Sequence, residues 1–92
     1  MNRSRLHIFY SGRVQGVGFR YAVRTLAAGF EVTGSIRNLA DGRVELVAEG
    51  TKEELGAFRR AIQDCEVGRC IRNEDVSWSD ATGGLRGFEI VS

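Results

Sequence analysis

The sequence predicts an α+β fold of the ferredoxin-like class: an α/β sandwich, βαββαβ plus a short final strand, whose antiparallel sheet carries two helices on one face. Three observations lead there. Stretches of period-2 hydrophobicity alternate with two amphipathic helices, an Asp-Gly pair marks a hairpin near the middle of the chain, and 92 residues suffice for one core and no second domain. Two βαβ halves closed by right-handed crossovers place both helices on the same side of the sheet.

Each element has its own warrant. Leu6, Ile8 and Tyr10 alternate with His7, Phe9 and Ser11, giving a first strand over about Ser4 to Gly12. Phe19, Ala22, Val23, Leu26 and Phe30 recur at helical spacing, and Gly29 suits a helix end, so the first helix covers Arg20 to Ala28. Val32 to Leu39 reads as a strand, Asp41-Gly42 as its turn, and Arg43 to Ala48 as the returning strand. Thr51 with Glu54 forms a capping box for a second helix, Lys52 to Cys65, with Leu55, Phe58, Ile62 and Cys65 on one stripe. Strands over Asp75 to Ala81 and Gly87 to Val91, separated by Gly83-Gly84, complete a single domain over residues 1–92.

Composition narrows the function. Thirteen basic side chains against twelve acidic ones leave a net charge of +1, so no broad positive field exists to gather nucleic acid or an anionic membrane. The apolar run Leu6 to Tyr10 is too short for a signal-peptide core or a membrane span, which gives a cytoplasmic expectation. Cys65 and Cys70 have no second pair and His7 is the sole histidine, so no four-ligand zinc site can be assembled; no metal and no cofactor are expected. Two reduced thiols are the simple reading, a local disulfide the alternative.

The stretch "SGRVQGVGFRY" carries the chemistry. Gly12, Gly16 and Gly18 free the connection for positive φ, so that successive N–H groups can point inward as an anion-binding nest. A helix N-terminus follows, adding unpaired donors and the positive end of its dipole. Arg20 stands in that first turn, where a cation is misplaced by about 0.3–1 kcal/mol unless an anion lies between it and the helix. Loop and arginine alone leave two readings, a connector beside a solvated arginine or a cradle. No Gly-Lys-Ser/Thr follows, so this is not a nucleotide-triphosphate loop. Topology puts Asn38, at the end of the second strand, on the sheet edge that bears the loop, two strand spacings or ~10 Å away.

"GRVQGVGFR" followed by "GSIRNLADGRVELVAEG" resembles the acylphosphatase family, closely over about Leu6 to Gly50 and in outline beyond. The resemblance implies hydrolysis of acyl phosphates to a carboxylate and inorganic phosphate without a metal. It implies that Arg20 and the N–H groups of Gln15, Gly16, Val17, Gly18 and Phe19 hold the phosphate and that Asn38 orients the attacking water. The partners so implied are a small-molecule acyl phosphate and phosphate or a similar anion, with no nucleic acid and no membrane, and the expected state is a monomer. Departures from the family are "DCEVGRCIRN", Asp64 to Asn73, where a proline-containing, cysteine-free segment is usual, and Ala40 where proline is frequent.

Other candidates have plainer explanations. His7 alternates with the core-facing set and reads as a sheet-face residue; Asp41 reads as a hairpin residue; Arg13, Arg37 and Arg43 read as solvated, with Arg37 able to add to the field near Asn38. The Glu53, Glu54, Arg59 and Arg60 cluster reads as a solvent face. Two other functions fit the same sequence: a non-catalytic ferredoxin-like module that senses an anion, and an accessory domain acting on carbamoyl phosphate, similar to the N-terminal domain of hydrogenase maturation proteins. The end of the chain at Ser92 favours a free-standing enzyme over the latter.

Overall fold

The period-2 pattern of the first strand is reproduced residue by residue in the computed structural model, which describes residues 2–92. In β1 (Ser4–Gly12), Leu6, Ile8 and Tyr10 have no exposed surface, while Arg5, His7 and Phe9 are half-buried on the opposite face. There follow α1 (Phe19–Ala27), β2 (Thr33–Asn38), β3 (Val44–Gly50), α2 (Lys52–Asp64), a 3-10 turn over Glu66–Cys70, β4 (Ile71–Asp80) and β5 (Phe88–Ile90). The strand order is β4-β1-β3-β2-β5, with both helices packed on the face that carries Leu6, Ile8, Ile36, Val44 and Leu46.

Four of the five strands are antiparallel, and β5 runs parallel to β2, so the sheet is mixed. Geometry explains the difference from the all-antiparallel expectation. β4 ends beside the start of β1, at Ser4↔Asp80, and the short connection crosses that one edge of the sheet before entering next to β2. A strand that starts from the edge where β2 starts must run the same way as β2. Gly34 N donates to Gly87 O (2.8 Å) and Val91 N to Ile36 O (2.9 Å) at its two ends.

Glu49 pins that crossing. Its carboxylate, only 1% exposed, accepts from Arg5 Nη1, Thr82 N, Thr82 Oγ1 and Gly83 N at 2.9–3.0 Å. Burial alone would raise its pKa, but these donors outweigh it and hold the carboxyl at about 2, below its ordinary 4.5. A depressed folded-state pKa means stability that is complete above pH 4.5 and is lost as pH falls towards 2. Urea midpoints measured down that range should therefore fall, and Glu49→Gln should flatten the fall; equal slopes in the two proteins would remove Glu49 as its origin.

The second half of the chain departs from expectation in two places. β4 begins at Ile71, four residues earlier than the Asp75 start read from periodicity, and pairs with β1 as far as Gly12↔Ile71 through a bulge at Ser11/Gly12. Alternation could not reveal this part of the strand, because β4 is an edge in which the two residues after Ile71, Arg72 and Asn73, are both exposed. The 3-10 turn before it was unforeseen: Gly68 N donates to Cys65 O at 2.9 Å, and Cys65 and Cys70 at the two ends are both free thiols. At the front of α2, Thr51 Oγ1 accepts Glu54 N (3.2 Å) as a capping residue should. Glu54 does not return the bond; its Oε1 accepts Glu31 N at 2.8 Å and ties the helix to the turn before β2.

Candidate active site

β1 and β2 both run antiparallel to β3 and therefore parallel to each other, so their last residues share one edge. The register makes this specific: Tyr10 pairs with Val44 and Val44 with Asn38, so the three stand in one row across the sheet. Tyr10 and Val44 are fully buried on the helix-bearing face, and Asn38 shares that face by parity. Asn38, the last residue of β2, is thus turned into the space between sheet and helix layer. Its Oδ1 is buried and has no hydrogen-bond partner among the described residues.

The glycine loop leaves β1 on the same edge and is anchored at both ends. Arg13 N donates to Cys70 O (3.1 Å) at its root, and Val14, 1% exposed, is drawn into the core. At its far end Phe19, the first residue of α1, packs edge-on against Tyr10 with ring centroids 5.2 Å apart. The excursion between is open: Gly16, Val17 and Gly18 are exposed, and Gly16 and Gly18 adopt φ of 78° and 80°. Gly18 is the N-cap of α1 in the left-handed region, with no side-chain cap and no acidic residue in the first turn. The donors at this helix start are consequently left to whatever lies outside it. Helix α1 begins at Phe19, one residue before the sequence-based estimate, which keeps Arg20 in the first turn; Arg20 is half-buried and makes no ion pair among the described residues.

Gln15 joins the two halves. Its Nε2 donates to Leu39 O (2.8 Å) and to Arg43 O (2.9 Å), the residues that close the β2–β3 hairpin just beyond Asn38. From the sequence, only the backbone N–H of Gln15 is expected at the site. Nothing local marks its side chain, because both acceptors lie more than twenty positions away and are backbone carbonyls.

Two of the arginines read as solvated, Arg37 and Arg43, are more organised than expected. Arg37 Nε pairs with Glu45 Oε1 (2.6 Å), and His7 Nε2 sits 2.7 Å from Glu45 Oε2. These three share the helix-free face, so Arg37 is held away from the face that Asn38 occupies. Burial works against the Glu45 carboxylate, but Arg37 and His7 bring its pKa below the ordinary value. Asp41 accepts Arg43 N (3.0 Å) and pairs with Arg43 Nε, and the Arg43 guanidinium lies over Phe9. Arg59 pairs with Glu74 at 2.9 Å and so is not a free surface charge. Burial, reinforced by Glu74, pushes the Tyr10 phenol far above its usual range, so it stays protonated beside Phe19. Among the described residues no three His, Cys, Asp or Glu side chains cluster as a metal site.

The chain that forms this site is similar to known proteins over almost its full length. The acylphosphatase family model matches residues 6–90. The chain belongs to the acylphosphatase family. An acylphosphatase of Roseiflexus sp. is 44% identical over 94 residues, covering 99% of this chain and 98% of the relative. One of Pelotomaculum thermopropionicum is 42% identical, with 99% of each chain covered. The crystal structure of acylphosphatase from Bacillus subtilis superposes with a TM-score of 0.88 at 36% identity, over 97% of this chain and 99% of that one. A further likeness is to full-length HypF, crystallised in a phosphate- and nucleotide-bound form: TM-score 0.84, 25% identity, and 98% of this chain against 12% of that one. Family and fold together support acyl phosphate hydrolysis as this enzyme's activity. Among the described residues no helix is long and apolar enough to cross a membrane.

Proposed function

We propose that the enzyme cleaves the carboxyl–phosphate bond of small acyl phosphates without a metal, using the loop N–H groups of Gln15 to Phe19 and the Arg20 guanidinium to hold the phosphate and Asn38 to place the water. The observation that carries this reading is Asn38 Oδ1, a buried acceptor with no partner among the described residues, in one row with Tyr10 near the end of β1, the strand that leads into the loop. A buried amide oxygen left unbonded is costly unless it has a task, and accepting a water O–H is a task that it can perform.

The chemistry needs little more. Water oxygen forms a bond to phosphorus as the phosphorus–oxygen bond to the acyl group breaks, and the carboxylate leaves with that electron pair. A carboxylate is a weak base and requires no general acid. Charge on the equatorial oxygens is met by a forked guanidinium and fixed backbone dipoles. Asn38 cannot take the proton of the water at neutral pH; a phosphate oxygen of the substrate takes it. A rate that follows a protein group's pKa and not the ionisation of the substrate would overturn that last assignment.

The same reading has one domain acting as a cytoplasmic monomer on a small molecule, releasing inorganic phosphate and binding neither nucleic acid nor membrane. It is supported by relatives matched over nearly their whole length and by a net charge of +1. A second reading, an accessory domain acting on carbamoyl phosphate, draws on the likeness to one part of HypF.

Benzoyl phosphate hydrolysis followed by absorbance in excess chelator tests the proposal. Turnover should be unchanged by chelator, and carbamoyl phosphate should be the poorer substrate. Absence of turnover by pure protein would leave an anion-binding module, and a preference for carbamoyl phosphate would favour the accessory domain.

A further inference from the structure

We propose that the side chain of Gln15 is a positioning residue that sets the gap between the phosphate loop and Asn38; this rests on the proposed division of labour in the site. Gln15 stands between Val14, which is locked in the core, and Gly16, whose backbone is in the left-handed region. A side chain placed there belongs to the loop but is rooted in the fold. Both protons of its amide are spent on the hairpin, at Leu39 O and Arg43 O, across 24 and 28 positions of sequence. Leu39 N itself donates to Arg43 O at 2.8 Å, so Gln15 binds the closing pair of the hairpin.

Leu39 is the neighbour of Asn38, so the clamp acts one residue from the water-placing amide. Among the side-chain hydrogen bonds of the described residues, these two alone join the loop to the hairpin. Elsewhere the loop has little to brace it, for a Cβ at Gly16 or Gly18 would meet nothing within 4 Å. The demand is also chemical. Two carbonyl oxygens facing one side chain call for a group with two protons on one atom and no negative charge, which a primary amide supplies and a carboxylate or thioether does not.

In-line attack tolerates little misplacement, about 1 Å costing on the order of 10²-fold. Loosening the clamp should thus act on kcat, while Arg20 and the loop N–H groups still hold phosphate. Gln15→Met keeps the length and removes both donors. It should lower kcat for benzoyl phosphate by ~10- to 10²-fold and change the inhibition constant of inorganic phosphate by less than ~3-fold. Combined with Asn38→Ala it should cost less than the product of the two single losses, because both changes spoil one placement.

Gln15→Glu turns the same length into a carboxylate against two carbonyls. It should be the worse variant at neutral pH and regain activity relative to wild type as pH falls and one proton returns; this ratio is read within one folded protein. Weaker phosphate binding to the same degree as the loss in kcat, multiplicative losses in the double variant, or wild-type kcat in Gln15→Met would each overturn the proposal. Inactive wild type would sink the enzymatic reading instead. The clamp itself is then read by NMR, where slowed exchange of the Gln15 side-chain amide protons is expected, and free exchange overturns it.

Discussion

Arg20→Ala and Asn38→Ala should each lower kcat/KM for benzoyl phosphate by at least ~10²-fold, the scale of one lost transition-state donor, but by different routes. Arg20 is assigned to the phosphate, so its removal should weaken binding of inorganic phosphate as well as turnover. Asn38 is assigned to water, so its removal should lower kcat and leave phosphate inhibition within a few-fold of wild type. Arg20→Lys keeps the charge and loses the fork, and a compact ammonium cannot make the paired contacts of a guanidinium. It should recover phosphate binding better than turnover. Near-normal turnover in Arg20→Lys would show that the site uses charge alone, and equal loss of phosphate affinity in both alanine variants would erase the division of labour. Circular dichroism and thermal melts accompany the series, so that loss of fold is not mistaken for loss of chemistry.

Gly12→Ala should be strongly destabilising, and its effect should reach the site. Gly12 has φ 121°, and a Cβ there would fall on the Cys70 carbonyl oxygen and lie 2.8 Å from the Arg72 nitrogen. Both obstacles are backbone, so relief requires opening the bulge between β1 and β4. The strain is about 2–4 kcal/mol, the range of a forced backbone outlier with a packing clash. The bulge also delivers the Arg13 N to Cys70 O bond at the root of the loop, so kcat should fall even where the variant is fully folded. Gly56→Ala is the internal control. Gly56 is an exposed helical position in α2 where a Cβ meets nothing within 4 Å, and alanine there should stabilise by ~0.5–1 kcal/mol. Urea midpoints of the two variants should move in opposite directions; a Gly12→Ala midpoint equal to wild type would disprove the close contact.

The predictions for Glu49 and Gln15 share a feature with that for Gly12: each depends on a partner distant in sequence. Within one element, the sequence was readable. The alternation of Leu6, Ile8 and Tyr10, the stripe of Leu55, Phe58 and Ile62, and the Asp41-Gly42 turn fix their own burial through periodicity and turn chemistry, which are local properties. The loop was legible for the same reason. Glycines at 12, 16 and 18 are the residues that positive φ requires, and all three adopt it.

Legibility failed where the decisive contact was remote or at an edge. The early start of β4 depends on pairing with the end of β1 and not on its own alternation. His7 has a carboxylate partner only because β3 lies beside β1, and Arg37 faces away from the site because parity assigns it to the other side of the sheet from Asn38. The parallel β5 follows from which edge a short connection must cross.

By itself the sequence determined the element order, the core-facing sets, the glycine loop with Arg20 in a first helical turn, and the motifs that resemble the acylphosphatase family, since these are written in residue types and short spacings. The tertiary structure decided three matters that spacing cannot encode. It put Asn38 in register with Tyr10 and left its oxygen buried and unbonded. It set aside the neighbouring charges on the far face. It also brought the Gln15 amide onto the hairpin. The physical reason is common to all three: hydrogen bonds and register join positions on different elements, and only the folded sheet makes them neighbours.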